Sequence, residues 1–192
     1  MLARFYDRLL SAARRRHAVW LLAAVAFAES AFFPLPPDLL LAPMALGNRS
    51  RVWFYAALTT VSSVAGGLFG YLIGAALFDV IAQPIIDFYG YEPAFTNFSH
   101  LYNEYGAWVV FIAGVTPVPY KVVTIASGMT GLGFFGFIIA SLVSRGIRFF
   151  AVAAIVYRFG PAVSHMIGKY INWAFWGLVG LAAVGLLIVT YV

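Results

Sequence analysis

The sequence contains no cysteine and few charged residues. None of its 192 residues is Cys, and Asp, Glu, Lys and Arg together make up 10% of the chain. Without cysteine, disulfides, thiolate catalysis and cysteine-ligated iron–sulfur or zinc sites are all excluded. Because 63% of the residues are hydrophobic and the mean hydropathy is +0.91, the chain is far outside the range of soluble globular domains. The composition therefore predicts an integral membrane protein.

The sequence lacks the residues that several classes of protein function require. The net charge of +5 is carried at the edges of apolar segments, which is typical of membrane topology signals and not of a nucleic-acid surface. The three histidines, His17, His100 and His165, all fall in flanks or loops, so paired haem ligation inside a bundle is disfavoured. There is no His-Glu-x-x-His motif and no serine nucleophile motif. We expect no enzymatic activity, no cofactor and no metal.

Four long apolar stretches set the predicted organisation, since a spanning helix needs about 20 residues. The third stretch is long enough for two segments, which divide near Gly128–Gly133. The fold class predicted is an all-α integral membrane protein forming one domain. Its expected order is an interfacial helix at 1–17, a re-entrant hairpin at 18–46, a spanning helix at 52–78, an interfacial segment at 79–105, a second hairpin at 106–130, and spanning helices at 132–157 and 170–192.

The first apolar stretch is interrupted near its middle by Pro34, Pro36 and Pro37. Proline removes a backbone donor and disfavours helix at the preceding residue, so the chain should break there. Arginines flank the stretch on both sides, and the positive-inside rule puts both flanks in the cytoplasm. The segment should therefore enter and leave on one side as a re-entrant hairpin.

The stretch 106–130 repeats this design with Pro117, Pro119 and then Lys121. Each of these residues follows its counterpart in the first hairpin by 83 positions, and Lys121 stands where the first hairpin has Asp38. Its preceding flank is acidic, so this hairpin should dip in from the opposite side. The two hairpins would form an inverted repeat, an arrangement that many secondary transporters use to build a site near the midplane.

Five charged residues fall within apolar segments. Each charge at membrane depth costs about 2.5–3.5 kcal/mol on insertion scales, so these residues must pair or face water. Structural ion pairing explains any single one of them, whereas the whole set favours a functional cavity. The candidate substrate and proton-coupling residues are Glu29, Asp38, Lys121, Arg145 and Arg148.

The charges of this set suggest a ligand class. Three positive and two negative groups leave an excess of one positive charge, which suits an anion, and arginine and lysine donors suit phosphate. The two carboxylates could also take up and release protons in a poorly solvated site. We predict a phosphate-bearing anion as substrate, with protons as the coupling partner.

The hairpin motifs resemble those of the DedA family, in the VTT or SNARE-associated superfamily, and are most similar to its YqaA-like branch. The resemblance covers about residues 18–160 and rests on a Glu followed by a Phe-Pro-x-Pro turn and an acid, a Thr-Pro-x-Pro-Tyr-Lys turn leading to Gly128, and a Ser-Arg-Gly-x-Arg-Phe run. It implies two opposed re-entrant hairpins and the movement of anionic lipid between leaflets, as a flippase or scramblase. Glu29 and Asp38 match the family's acidic pair, whereas Lys121 is the one candidate for its second turn arginine and is displaced by one residue.

The sequence thus predicts a multi-pass transporter of the bacterial inner membrane with a cytoplasmic N-terminus. Two alternatives remain open: an ion/proton antiporter without lipid substrate, and a non-transporting assembly or scaffold protein. A transporter's buried charges should face a cavity, whereas a scaffold's should be dry and fully paired. Membrane lipids are the expected partners, nucleic acid is not, and a homo-oligomer stays open.

Overall fold

The computed structural model describes residues 18–31, 36–116 and 119–160, and every regular element in these ranges is helical. The predicted interfacial helix at 1–17 and spanning helix at 170–192 lie outside the described residues. The helices are α1 (Ala18–Ala31), α2 (Asp38–Gly47), α3 (Val52–Leu77), α4 (Gln83–Tyr89), α5 (Glu92–Val115), α6 (Tyr120–Met129) and α7 (Phe134–Gly160). A 3-10 turn at Arg49–Arg51 leads into α3, and a π-helical turn at Phe78–Ala82 joins α3 to α4.

Within the described ranges, two helical runs are long and apolar enough to cross a membrane, judged by length and composition. They are Arg49–Tyr89 and Phe134–Gly160. Helices α1 and α2 have 14 and 10 residues. At 1.5 Å per residue these reach only about 21 and 15 Å, short of the roughly 30 Å hydrocarbon core. Over their described lengths, neither helix crosses a bilayer alone.

The helix breaks coincide with prolines. Helix α1 ends at Ala31 and α2 begins at Asp38, and the carbonyl of Pro37 accepts hydrogen bonds from the backbone N–H groups of Leu40 and Leu41. Pro119 likewise precedes α6, and its carbonyl accepts from Val122. Proline suits these positions because the first N–H groups of a helix have no intrahelical partner. Pro36 and Pro37 lie in the first break and Pro119 in the second, while Pro34 and Pro117 lie outside the described residues.

One predicted boundary does not correspond to a helix end. Helix α5 runs from Glu92 to Val115 without interruption, so the predicted interfacial segment 79–105 and the first arm of the second hairpin share a helix. The change of hydropathy near residue 105 therefore does not mark a break in the backbone. The break that does occur in this region is at Gly90, which has a φ of 67° and ends α4.

Two pairs of helices pack against opposite ends of α7. Near its start, Phe137 shares a core with Val110 of α5 and Tyr120 of α6. Near its end, Val156 shares a core with Ala45 of α2. The middle of α7 therefore lies beside both helix breaks.

Helix α3 packs closely against α1 and α6 through glycines. A Cβ at Gly66 would overlap the backbone of Phe27, and one at Gly74 would overlap the carbonyl of Ile125. Gly128 of α6 makes the reciprocal contact with the carbonyl of Tyr71. The four-residue glycine spacing of α3 is thus a seam for close helix contact.

Much of the remaining surface is apolar. Large hydrophobic side chains such as Phe135, Ile139 and Leu72 are more than half exposed. Such a surface would aggregate in water, whereas a lipid environment covers it. The structure thus agrees with the membrane character that the composition predicts.

Candidate functional site

Four of the five predicted site residues meet beside the helix breaks. Glu29 lies in the last turn of α1, and Asp38 is the first residue of α2. Arg145 and Arg148 lie three residues apart in the middle of α7 and so project from one face of it. The pairing that the cost of isolated charges predicts is confirmed in the structure, because each acid forms an ion pair with one arginine.

In the inner pair, Glu29 and Arg145, the arginine is almost fully buried and the acid is 19% exposed. The Arg145 side chain is 1% exposed, and its Nη2 lies 2.7 Å from Oε2 of Glu29. The same nitrogen donates to Oγ of Ser30 at 3.1 Å. The guanidinium carbon also lies 4.1 Å from the centre of the Tyr120 ring, within the range of a cation–π contact. Arg145 is therefore held by an acid from α1 and an aromatic ring from α6.

The outer pair, Asp38 and Arg148, is more accessible. The two side chains are 29% and 23% exposed, and Nη2 of Arg148 lies 2.9 Å from Oδ2 of Asp38. Nη1 of Arg148 donates to the carbonyl oxygen of Thr116 at 3.2 Å. Thr116 is the residue after α5, at the second helix break. Arg148 therefore links the two breaks directly.

Lys121 does not join these pairs. It lies half-buried in the first turn of α6 and forms no ion pair or side-chain hydrogen bond with another described residue. The four paired groups are balanced, two positive against two negative. The excess positive charge that the sequence predicts for the set therefore resides on Lys121.

Hydrogen-bonding capacity is left over within the cluster. Oδ1 of Asp38 and Nε of Arg145 are buried, and neither has a hydrogen-bond partner among the described residues. Leaving a buried polar group unpaired costs about 1–3 kcal/mol. An acceptor near Arg145 or a donor near Asp38 would recover that energy.

Sequence reasoning missed the polar residues that support the arginines. Ser30 connects Arg145 to α3, since its Oγ lies 2.7 Å from Oγ of Ser63. The hydroxyl of Tyr120 donates to Ser141 at 2.5 Å, which holds the ring beneath Arg145. Tyr120 could have been found, because it stands beside Lys121 in the turn motif. No local signal marks Ser30 or Ser63 among the other small residues of their helices.

Among the described residues, no group of three or more His, Asp or Glu side chains is placed to hold a metal ion. His100 is exposed on α5. His17 and His165 lie outside the described residues.

Comparison with known proteins places this arrangement in a family. The model of the VTT domain matches residues 35–158, which include part of the first helix break, Asp38, the whole second break, and both arginines of α7. The chain belongs to the VTT-domain family. This confirms the family resemblance carried by the hairpin motifs. VTT-domain proteins are membrane proteins of a transporter-like kind and are not typically enzymes.

Two relatives align over almost the whole chain. An uncharacterized protein of Haemophilus influenzae is 35% identical over 179 residues, and an uncharacterized protein of Histophilus somni is 33% identical over 179 residues. In both cases the alignment covers 93% of this chain and 93% of the relative. No solved structure matches the chain.

Proposed function

We propose that this VTT-domain protein moves an anionic, phosphate-bearing lipid between the leaflets of the bacterial inner membrane, with Glu29 and Asp38 as proton acceptors. The observation that carries the proposal is the pairing of two carboxylates with two arginines at the point where both helix breaks meet α7. Four charges concentrated at membrane depth are costly, and such residues mark substrate and proton pathways in membrane proteins. Membrane lipids are the partners that this function requires.

The ion pairs suggest how an anion and a proton could exchange. In the paired state each arginine is neutralised by a carboxylate, so an incoming phosphate finds neither guanidinium free. Protonation of Asp38 would release Arg148, which is a quarter exposed and so accessible to a headgroup. Guanidinium binds phosphate through paired hydrogen bonds. Loss of the proton would restore the ion pair and displace the headgroup.

The helix breaks support a re-entrant arrangement for the two helix pairs. The described lengths of α1 and α2 are each too short to span, and backbone that leaves the helix at membrane depth must be covered by protein or line a cavity. Within the proposal, the pairs α1–α2 and α5–α6 enter from opposite sides and meet at Arg145 and Arg148. An inverted repeat of this kind permits access to the charges from either leaflet in turn.

The test is lipid movement in vesicles containing the purified protein. Fluorescent phosphatidylglycerol in the inner leaflet is protected from a membrane-impermeant quencher until it moves outward. We expect Glu29→Gln and Asp38→Asn each to slow proton-driven movement at least about tenfold, because an amide keeps the shape and hydrogen bonding but cannot exchange a proton near neutral pH. The matched control is Glu104→Gln, which changes an exposed acid of α5 far from the ion pairs.

Three outcomes separate the alternatives. Stable amide variants with undiminished lipid movement would refute the proton role of the acids. An ion/proton antiporter would move protons, followed with an internal pH dye, without moving the lipid. One observation favours a scaffold as the second candidate function: Arg145 is almost fully buried and ion-paired. It would move neither, and its amide variants would lose stability alone.

A further inference from the structure

A second polar site lies away from the central ion pairs, where the start of α3 lies beside the last described turn of α7. It is a hollow of about 490 Å³ lined by Arg49, Ser50, Trp53, Tyr157 and Arg158. The 3-10 turn before α3 supplies Arg49 and Ser50, and the end of α7 supplies Tyr157 and Arg158. All five side chains are exposed.

The hollow is positively charged. None of the described residues that line it is acidic, and neither Arg49 nor Arg158 forms an ion pair with another described residue. Two guanidinium groups from separate helices converging without an acid repel each other, so an anion between them is favoured. This contrasts with the central site, where each arginine has its own carboxylate.

The position of Arg49 is defined by a glycine. A Cβ added at Gly160 would overlap the Arg49 guanidinium and come within 3.1 Å of Leu46. The guanidinium therefore lies directly against the backbone of α7, close in sequence to Arg158. The absence of a side chain at Gly160 lets both arginines face the same hollow.

An aromatic wall extends from the hollow along the protein surface. Trp53 stacks on Phe150 with ring centres 6.0 Å apart and an angle of 20° between the rings. On its other side it contacts Tyr157 at 5.9 Å. Tryptophan and tyrosine favour the headgroup level of a bilayer, where one end of the ring is wet and the other apolar. Phe150 lies almost two helical turns before Tyr157 in α7, farther from the hollow, and continues the apolar surface.

We propose that this hollow binds the phosphate headgroup of an anionic phospholipid in the leaflet on the arginine-rich side of the membrane. The two arginines and the Ser50 hydroxyl contact the phosphate, and the aromatic wall contacts the glycerol and upper acyl chains. Basic pockets between helices on that side are suited to such lipids. The site is distinct from the central ion pairs, and lipid can occupy it whether or not the protein moves lipid.

The test is native mass spectrometry of the purified full chain titrated with phosphatidylglycerol or phosphatidylcholine. We expect the wild type to retain phosphatidylglycerol in preference to phosphatidylcholine. Arg49→Gln and Arg158→Gln should each weaken retention about fivefold, and the double variant about 25-fold, because each of these arginines contacts the lipid phosphate and one basic side chain contributes on that scale to anionic lipid binding. The matched control is Arg51→Gln, an exposed arginine of the same turn that does not line the hollow.

A second variant tests the geometry without removing a charge. Gly160→Ala should push the Arg49 guanidinium out of the hollow and weaken retention about as much as Arg49→Gln, while the melting temperature stays near that of the wild type. Equal retention by the wild type and the double variant would overturn the proposal, as would an equal loss in Arg51→Gln. Millimolar inorganic phosphate should leave the lipid bound, because it cannot use the aromatic wall. Displacement by phosphate would show a site for a free anion and not for a lipid.

Discussion

Arg145 and Arg148 are one helical turn apart, yet they occupy different environments. Arg145 is 1% exposed and is enclosed by Glu29, Ser30 and the ring of Tyr120. Arg148 is 23% exposed and bonds to Asp38 and to the backbone of Thr116. Desolvation is nearly complete for the first arginine and partial for the second. The inner pair should therefore contribute more to structure, and the outer pair more to exchange with a ligand.

This difference predicts unequal effects on stability. Arg145→Gln should lower the free energy of unfolding by about 3–5 kcal/mol, because it leaves a largely buried carboxylate without its cation. Arg148→Gln should cost less, since Asp38 stays partly accessible. Thermal unfolding in detergent measures both changes.

A double variant provides the control for the inner pair. Glu29→Gln together with Arg145→Gln removes both charges, so it should be more stable than Arg145→Gln alone. If the double variant is no more stable than the single one, the loss comes from packing around Arg145 and not from the stranded charge.

At the scale of elements, local chemistry predicts some features of the fold and not others. The helix breaks follow from Pro36, Pro37 and Pro119, because proline lacks the N–H that a helix interior needs. The continuity of α5 through residue 105 was not predicted, since an acidic flank marks a change of environment and carries no signal for a helix end.

The partners within the site show a similar limit. The free-energy cost of burying a charge predicts that the charged residues pair. It does not predict that Glu29 is the partner of Arg145, because these residues are 116 positions apart and their contact depends on how α1, α3 and α7 pack. The partner of Lys121 could not be predicted either. Its position in the second hairpin motif corresponds to that of Asp38 in the first, but it has no acidic partner among the described residues. Composition and motif thus predict the members of the site, and tertiary packing decides their pairing.

The glycine seam of α3 makes a prediction at this scale. Gly66→Ala should destabilise the protein by about 1–3 kcal/mol, because the new methyl group meets the backbone of Phe27, which cannot move as a side chain could. The matched control is Gly136→Ala in α7, where nothing lies within 4 Å of the added Cβ. That change should be neutral or slightly stabilising, since alanine is the better helix former. Equal melting temperatures for the two variants would show that α1 and α3 can separate at little cost.

At the scale of the whole molecule, the charges are separated along the direction of α7. Arg49 and Arg158 lie at the end where α3 begins and α7 ends. The segment 79–105, which carries acids and no Lys or Arg, follows the opposite end of α3. The ion-paired arginines lie between these ends. By the positive-inside rule, an asymmetry of this kind predicts an orientation with the arginine-rich end in the cytoplasm.

The final prediction concerns topology and uses the absence of cysteine from the chain. Single cysteines at Ser11 and Ser50 should react with a membrane-impermeant maleimide from the cytoplasmic side, because arginines flank both ends of the first hairpin. Ser11 lies outside the described residues and Ser50 is exposed before α3. For the second hairpin, cysteines at Asn97 and Gly133, which are both exposed, should react from the opposite side.

Labelling of right-side-out and inverted vesicles distinguishes the two faces, and the cysteine-free wild type gives the background. A hairpin places both of its ends on one face, whereas a true span places them on different faces. Opposite labelling of Ser11 and Ser50 would make 18–46 a span, and opposite labelling of Asn97 and Gly133 would do the same for the second segment. Either result would leave Arg145 and Arg148 at a contact between spanning helices and remove the structural basis for access from alternate leaflets.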